Sequence, residues 1–270
     1  MTYEAREFAR VTKTVLMISV AAWIILLAPG GITPALHRHD GHFPSMLQTM
    51  PSHLLLAVLP GTSLMMGFAV MLVAMMSPAL IAPICDIRLR SFRCRRVRAV
   101  ALFVITYTSA WLALGYLALT VTAAVGIFTG RSCLPAAIVL VIALIWQFSP
   151  AKQRCLNGCH RHGELAAFGA AADADALRYG FNHAVWCVGS CWALMLLPML
   201  LSAGHVVAMV GVTALIFSER LEDPGLPSWK WRGCNKAVRI VVGAITPHLH
   251  TTQTFPVEGH MENRKRSFLH

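Results

Sequence analysis

Charge is what this sequence has least of: only 13% of its 270 residues are Asp, Glu, Lys or Arg, while 56% are apolar and the mean hydropathy is +0.61. A soluble domain carries about a quarter charged residues, so the chain lacks the polar surface to sit in water. Acids are scarcer still, 12 against 23 basic residues. In a soluble protein that surplus would suggest nucleic acid, but beside long apolar runs it reads as basic cytoplasmic loops. Intrinsic disorder, a secreted disulfide scaffold and nucleic-acid binding are all poor explanations. The chain also has no phosphate-binding Walker loop, no Gly-x-Ser-x-Gly elbow and no His-Glu-x-x-His, so nothing marks it as a hydrolase or nucleotide enzyme.

What is present is hydrophobic length. A helix needs about 20 mostly apolar residues to cross the hydrocarbon core. Candidate spans run over about 14–28, 62–83, 99–128, 134–148, 181–203 and 205–217, and a last run over 237–249 is interrupted by Arg239 and Pro247. The first follows Arg6, Arg10 and Lys13 and resembles a secretory signal, but without a small-x-small cleavage site it reads as a retained anchor. The expected fold is all-α: a polytopic transmembrane helical bundle of six or seven spans, one domain over 1–249 with a polar tail over 250–270. Arg88, Arg90, Arg93, Arg95, Arg96 and Arg98 stand against one acid, Asp86, in the loop after the second span. That loop is expected inside, which puts the N-terminus and the 150–179 and 219–236 segments inside as well. The expected location is the cell inner (plasma) membrane, multi-pass, with the lipid bilayer as the first partner.

Seven of the eight cysteines then fall in or near the cytoplasmic half of the bilayer, where thiols stay reduced. Cys85, Cys94, Cys133 and Cys234, taken singly, read as small apolar filler. Two pairs do not. Cys155 and Cys159 follow the fourth span, and Cys187 and Cys191 repeat the spacing near the start of the fifth. Residues four apart share one helix face a turn apart, so each pair can hold one soft ion. The row extends as His183, Cys187, Cys191 and Met195, a stripe of imidazole, two thiols and a thioether. Those are the groups that monovalent copper prefers. Packing is the plainer reading of such a stripe, as it is of Met75-Met76 before Pro78, where the proline frees a backbone carbonyl beside two thioethers. Glu219, closing the sixth span, is an acid near the same depth. Outside, His37, His39 and His42 around Asp40 could collect a divalent ion, and His53 and His205 could ligate a haem from opposite helices.

Four ordered motifs resemble an uncharacterised bacterial family of predicted metal-binding integral membrane proteins. They are Ala74-Met75-Met76 with Pro78; Trp146-Gln147, Pro150, Lys152 and Cys155-Leu156-x-x-Cys159; Cys187-Val188-Gly189-x-Cys191-Trp192-x-Leu194-Met195; and Glu219, together spanning roughly residues 60 to 222. The chain departs from that pattern at Ser190-Cys191, His160-Arg161-His162 and Gly204-His205-Val206. The resemblance implies metal binding and names no reaction.

The reading is a bundle that binds a soft transition metal, copper foremost, for metal transfer, homeostasis or metalloenzyme assembly, with a metal-accepting protein as partner. Candidate ligands are Cys155, Cys159, Cys187, Cys191, Met75, Met76, Met195 and, second, His183, with the four sulfurs expected to meet at one point. Two other classes compete: a membrane thiol-disulfide oxidoreductase, and a non-catalytic structural subunit in which the same residues only pack.

Overall fold

The structure is a computed structural model, and it describes residues 3–28, 61–129, 134–161, 163, 165–166, 168–201 and 204–245. The His37, His39 and His42 cluster, His53, Cys133 and the tail from 250 lie outside the described residues. Every described element is helical: α1 (Tyr3–Leu27), α2 (Thr62–Met76), a 3₁₀ turn (Ser77–Leu80), α3 (Ile81–Arg90), α4 (Arg96–Thr129), α5 (Leu134–Phe148), α6 (Pro150–Cys159), α7 (Gly169–Leu200), α8 (His205–Leu221) and α9 (Asn235–Ile245). The all-α expectation holds. Among the described residues four helices are long and apolar enough to cross a membrane: Tyr3–Leu27, Leu64–Arg90, Arg96–Val125 and Gly169–Leu200. The other expected crossings, α5, α8 and α9, have 15, 17 and 11 residues. At about 1.5 Å per residue each falls short of the hydrocarbon core.

Pro78 shapes the first half of the bundle. It has no N–H to offer the carbonyl four residues back, which belongs to Ala74. The helix tightens into the 3₁₀ turn at that point, and the Ser19 hydroxyl of α1 donates to the freed Ala74 oxygen at 2.7 Å. Past the 3₁₀ turn, α1 is tied to α3 by buried Glu7, which accepts from Arg88 at 2.9 Å and from Arg10 at 3.2 Å.

The second half is organised around α7, which packs on α4, α5, α6 and α8. Its approach to α4 is close because Gly180 has no side chain: a Cβ there would lie 2.6 Å from the Phe103 carbonyl oxygen. Asp173 in the first turns of α7 binds Arg95 at 2.5 Å and Arg98 at 2.7 Å, and Arg96 bonds the Tyr3 hydroxyl. These pairs gather the starts of α1, α4 and α7 at one end of the bundle. Four of the six arginines around this loop, Arg88, Arg90, Arg95 and Arg98, thus meet a carboxylate within the fold.

Candidate metal centre

The site forms where α6, α7 and the end of α8 meet. Ser149 caps α6 by accepting from the Lys152 backbone N–H at 3.1 Å, and Pro150 fits the first helical turn, where no N–H is needed. The helix is short and amphipathic, and it lies against α7. The contact is made through small residues. A Cβ on Gly189 would come within 2.5 Å of Cys155 Sγ, and one on Gly158 would strike the Trp186 ring. The Trp146 indole donates to the Gly189 carbonyl at 3.0 Å, adding α5 to the same junction.

Cys187 is the centre of this region. It is fully buried, and its sulfur takes a hydrogen bond from the Arg220 guanidinium at 2.8 Å and meets the Tyr107 hydroxyl at 3.1 Å. Cys191, 1% exposed, points its thiol to the Cys187 carbonyl at 3.0 Å, and the Ser190 hydroxyl donates to that same oxygen at 2.7 Å. Both sulfurs sit about two turns inside the apolar part of α7, which begins at Phe181 after a polar first stretch. A turn nearer the end of the bundle, His183 is 3% exposed and ringed by Phe103, Tyr107 and Tyr179 at centroid distances of 5.8, 5.9 and 6.3 Å. Neither of its ring nitrogens has a hydrogen-bond partner among the described residues. A buried imidazole without partners carries a desolvation cost, and a ligand is one way to offset it.

Beside the thiols lies a second buried cluster. Lys152 and Glu219, 1% and 2% exposed, pair at 2.6 Å, and Gln147 bridges them, accepting from Lys152 and donating to Glu219. Trp231 donates its indole N–H to Glu219 at 3.2 Å. Burial pushes the Lys152 ammonium below its ordinary value, and the carboxylate of Glu219 opposes that shift. The segment after α8 straps over α6: Asn157 exchanges hydrogen bonds with the Gly225 backbone, Gln153 accepts from Ser228 N–H at 3.0 Å, and Arg232 reaches Asn157 at 2.7 Å.

The sequence-predicted residues divide accordingly. Cys155, Cys159, Cys187 and Cys191 lie on the two helices α6 and α7 that pack together, while the ring of His183 lies against Phe103 and Tyr107 of α4. Burial pushes the Cys159 thiol up to about 11 against the opposing charge of Arg220, and burial also raises Cys155. His160 next to it is pushed down by burial and by Arg232 and Arg220. The four sulfurs nevertheless do not close on a single point: among the described residues no three His, Cys, Asp or Glu side chains are arranged to hold an ion. One reason is visible in the packing. The thiols of Cys187 and Cys191 are engaged with Arg220, Tyr107 and the helix's own carbonyl, which aims them away from a common centre.

Met195, 3% exposed, lines an apolar cavity of about 280 Å³ together with Phe68, Trp111, Trp192 and Met199. Met75 and Met76 are buried on α2, whose neighbours are α1, α4 and α8, and neither joins the polar contacts around the cysteines. The residues that spacing alone does not single out are Tyr107 and Arg220. Both lie on other helices from the cysteines; the only sequence signal for Arg220 is a charge next to Glu219 at the end of an apolar run.

Compared with known proteins, residues 65–244 match a family model, PpoB2, described as a copper chaperone. No curated protein matches, and no solved structure does.

Proposed function

Since this chain belongs to the PpoB2 copper chaperone family, we propose that it is a multi-pass inner-membrane protein that takes up monovalent copper at the α6–α7 junction and passes it to a metal-accepting protein. Copper handling is the family's role. The site, the ligands and the membrane are the proposal. Cys187 and Cys191 supply the first two thiolates, and Cys155 and Cys159 lie one helix away to receive the ion next. His183 and the thioethers of Met195, Met75 and Met76 complete the soft donor set. Thiolates and thioethers exchange readily on a soft monovalent ion, so the metal can move between sites without release to water.

The observation that carries this reading is the gathering of soft donor chemistry on two packed helices: four cysteines outside any disulfide and an imidazole whose ring nitrogens have no hydrogen-bond partner among the described residues. Taking copper requires Cys187 to leave Arg220 and Tyr107. Binding copper therefore goes with a rearrangement of these side chains. Copper analysis of the detergent-purified protein, loaded with Cu(I) under reducing conditions, tests it. One Cu(I) per chain is expected, and the Cys187→Ala, Cys191→Ala variant should retain none. Equal copper in both would overturn the proposal.

A thiol-disulfide reading draws on the same cation beside Cys187, because a neighbouring cation favours the reactive thiolate. It is separated by differential alkylation: a disulfide that cycles with redox potential supports it, and four thiols that stay alkylatable in both conditions support copper.

A further inference from the structure

Arg220, at the end of α8, holds its charge against a thiol rather than a carboxylate. Its neighbour Glu219 is taken by Lys152, Gln147 and Trp231. The guanidinium turns instead to a sulfur, with Nη2 2.8 Å from Cys187 Sγ, and its Nε is enclosed with no hydrogen-bond partner among the described residues. No ion pair joins Arg220 to an acid among the described residues. An arginine in a protein keeps its proton, so this is a fixed positive charge at the mouth of the thiol pair.

Charge then counts the metal. Lys152 and Glu219 cancel. Two thiolates, Cys187 and Cys191, bring −2 and Arg220 brings +1, which leaves −1 for the ion to balance. A monovalent ion makes the buried cluster neutral, whereas a divalent ion leaves it at +1, and net charge taken out of water is costly. We propose that Arg220 is a specificity-determining residue that makes the Cys187–Cys191 pair select monovalent over divalent soft metals. This inference rests on the copper reading above and adds the ion's valence as the selected property. Softness alone does not provide it, because thiolates also hold zinc and cadmium tightly.

The test uses Ag(I) and Cd(II), which are both thiophilic and keep their valence. The intact protein in detergent is titrated with each in competition with a chelator, and the ratio of the two affinities is the readout. Arg220→Gln should lower the Ag(I):Cd(II) ratio about tenfold or more, the scale expected for removing one unit charge a few ångströms from the ion. Arg220→Lys, which keeps the charge, should leave the ratio within about threefold. A role in holding the fold alone would move both affinities together and leave the ratio unchanged. An unchanged ratio in Arg220→Gln, with both metals still lost in Cys187→Ala, Cys191→Ala, overturns the valence inference and leaves the copper site standing. Retention of both metals by the double cysteine variant overturns the site itself. If Arg220→Gln is not recovered folded, Ser190→Asp adds a negative charge beside the same sulfurs and should lower the ratio in the same direction; no change there also overturns the inference.

Discussion

Two buried polar clusters lie side by side at the α6–α7–α8 junction, and they differ in how completely they are satisfied. In one, Lys152, Glu219, Gln147 and Trp231 exchange hydrogen bonds until both charges and the amide are matched. In the other, a guanidinium rests on a thiol, an imidazole has no hydrogen-bond partner among the described residues, and the four cysteines form no disulfide. The first is what a fold needs to keep ions away from water. The second leaves donor atoms without a hydrogen-bond partner among the described residues, which costs stability. Adjacency links them: the closed cluster fixes the end of α8 and so holds Arg220 against Cys187.

The largest effect should come from breaking the closed cluster. Glu219→Gln or Lys152→Met strands a buried charge and should cost about 3–5 kcal/mol, read as a lowered Tm in detergent. Replacing both partners with apolar residues of similar volume should recover most of the loss, and a double variant as unstable as the singles would contradict the description of that pair.

The open cluster should behave in the opposite way. Cys187→Ser should leave Tm nearly unchanged while Cu(I) affinity falls further than the roughly 10- to 100-fold typical of losing an outer-shell contact. Chelator competition gives the affinity directly. If Tm falls as far as in Glu219→Gln, the two clusters are alike and the contrast fails.

Away from both, Ser19→Ala removes the donor to the Ala74 carbonyl that Pro78 leaves open, at an expected cost of about 1–3 kcal/mol. Metal binding should be unaffected, which makes this a control for damage to the fold alone.

The smallest effect is in pH. Burial holds the Cys159 thiol protonated up to about 11. An ion that engages Cys159 must displace that proton, so Cu(I) affinity should rise with pH throughout the neutral range. The slope is about tenfold per pH unit for each proton released, and Cys159→Ser should reduce it by one proton. An unaltered slope would remove Cys159 from the ligand set.

Much of this was legible from the chain. Helix class followed from hydropathy, because an apolar run has few other ways to satisfy its backbone in lipid. The two cysteine pairs and His183 could be placed on common faces because four residues make roughly one turn. Pro78 announced a freed carbonyl. What could not be read was anything requiring two helices at once. Ser19 is an ordinary serine until α1 lies on α2, and Gly180 and Gly189 are ordinary glycines until α4 and α6 press on α7. Arg220 shows this best: it looks like a helix-end charge reaching water, and only the packing of α8 on α7 brings it to a thiol. The expected meeting of four sulfurs failed for the same reason, since spacing aligns side chains along one helix but does not aim them across two.

The most direct test of the central claim is X-ray absorption at the copper edge of the Cu(I)-loaded protein. The account predicts a first shell of at least two sulfur neighbours in the wild type, lost in Cys187→Ala, Cys191→Ala. A shell of nitrogen and oxygen alone, or a sulfur shell that survives the double substitution, would contradict it.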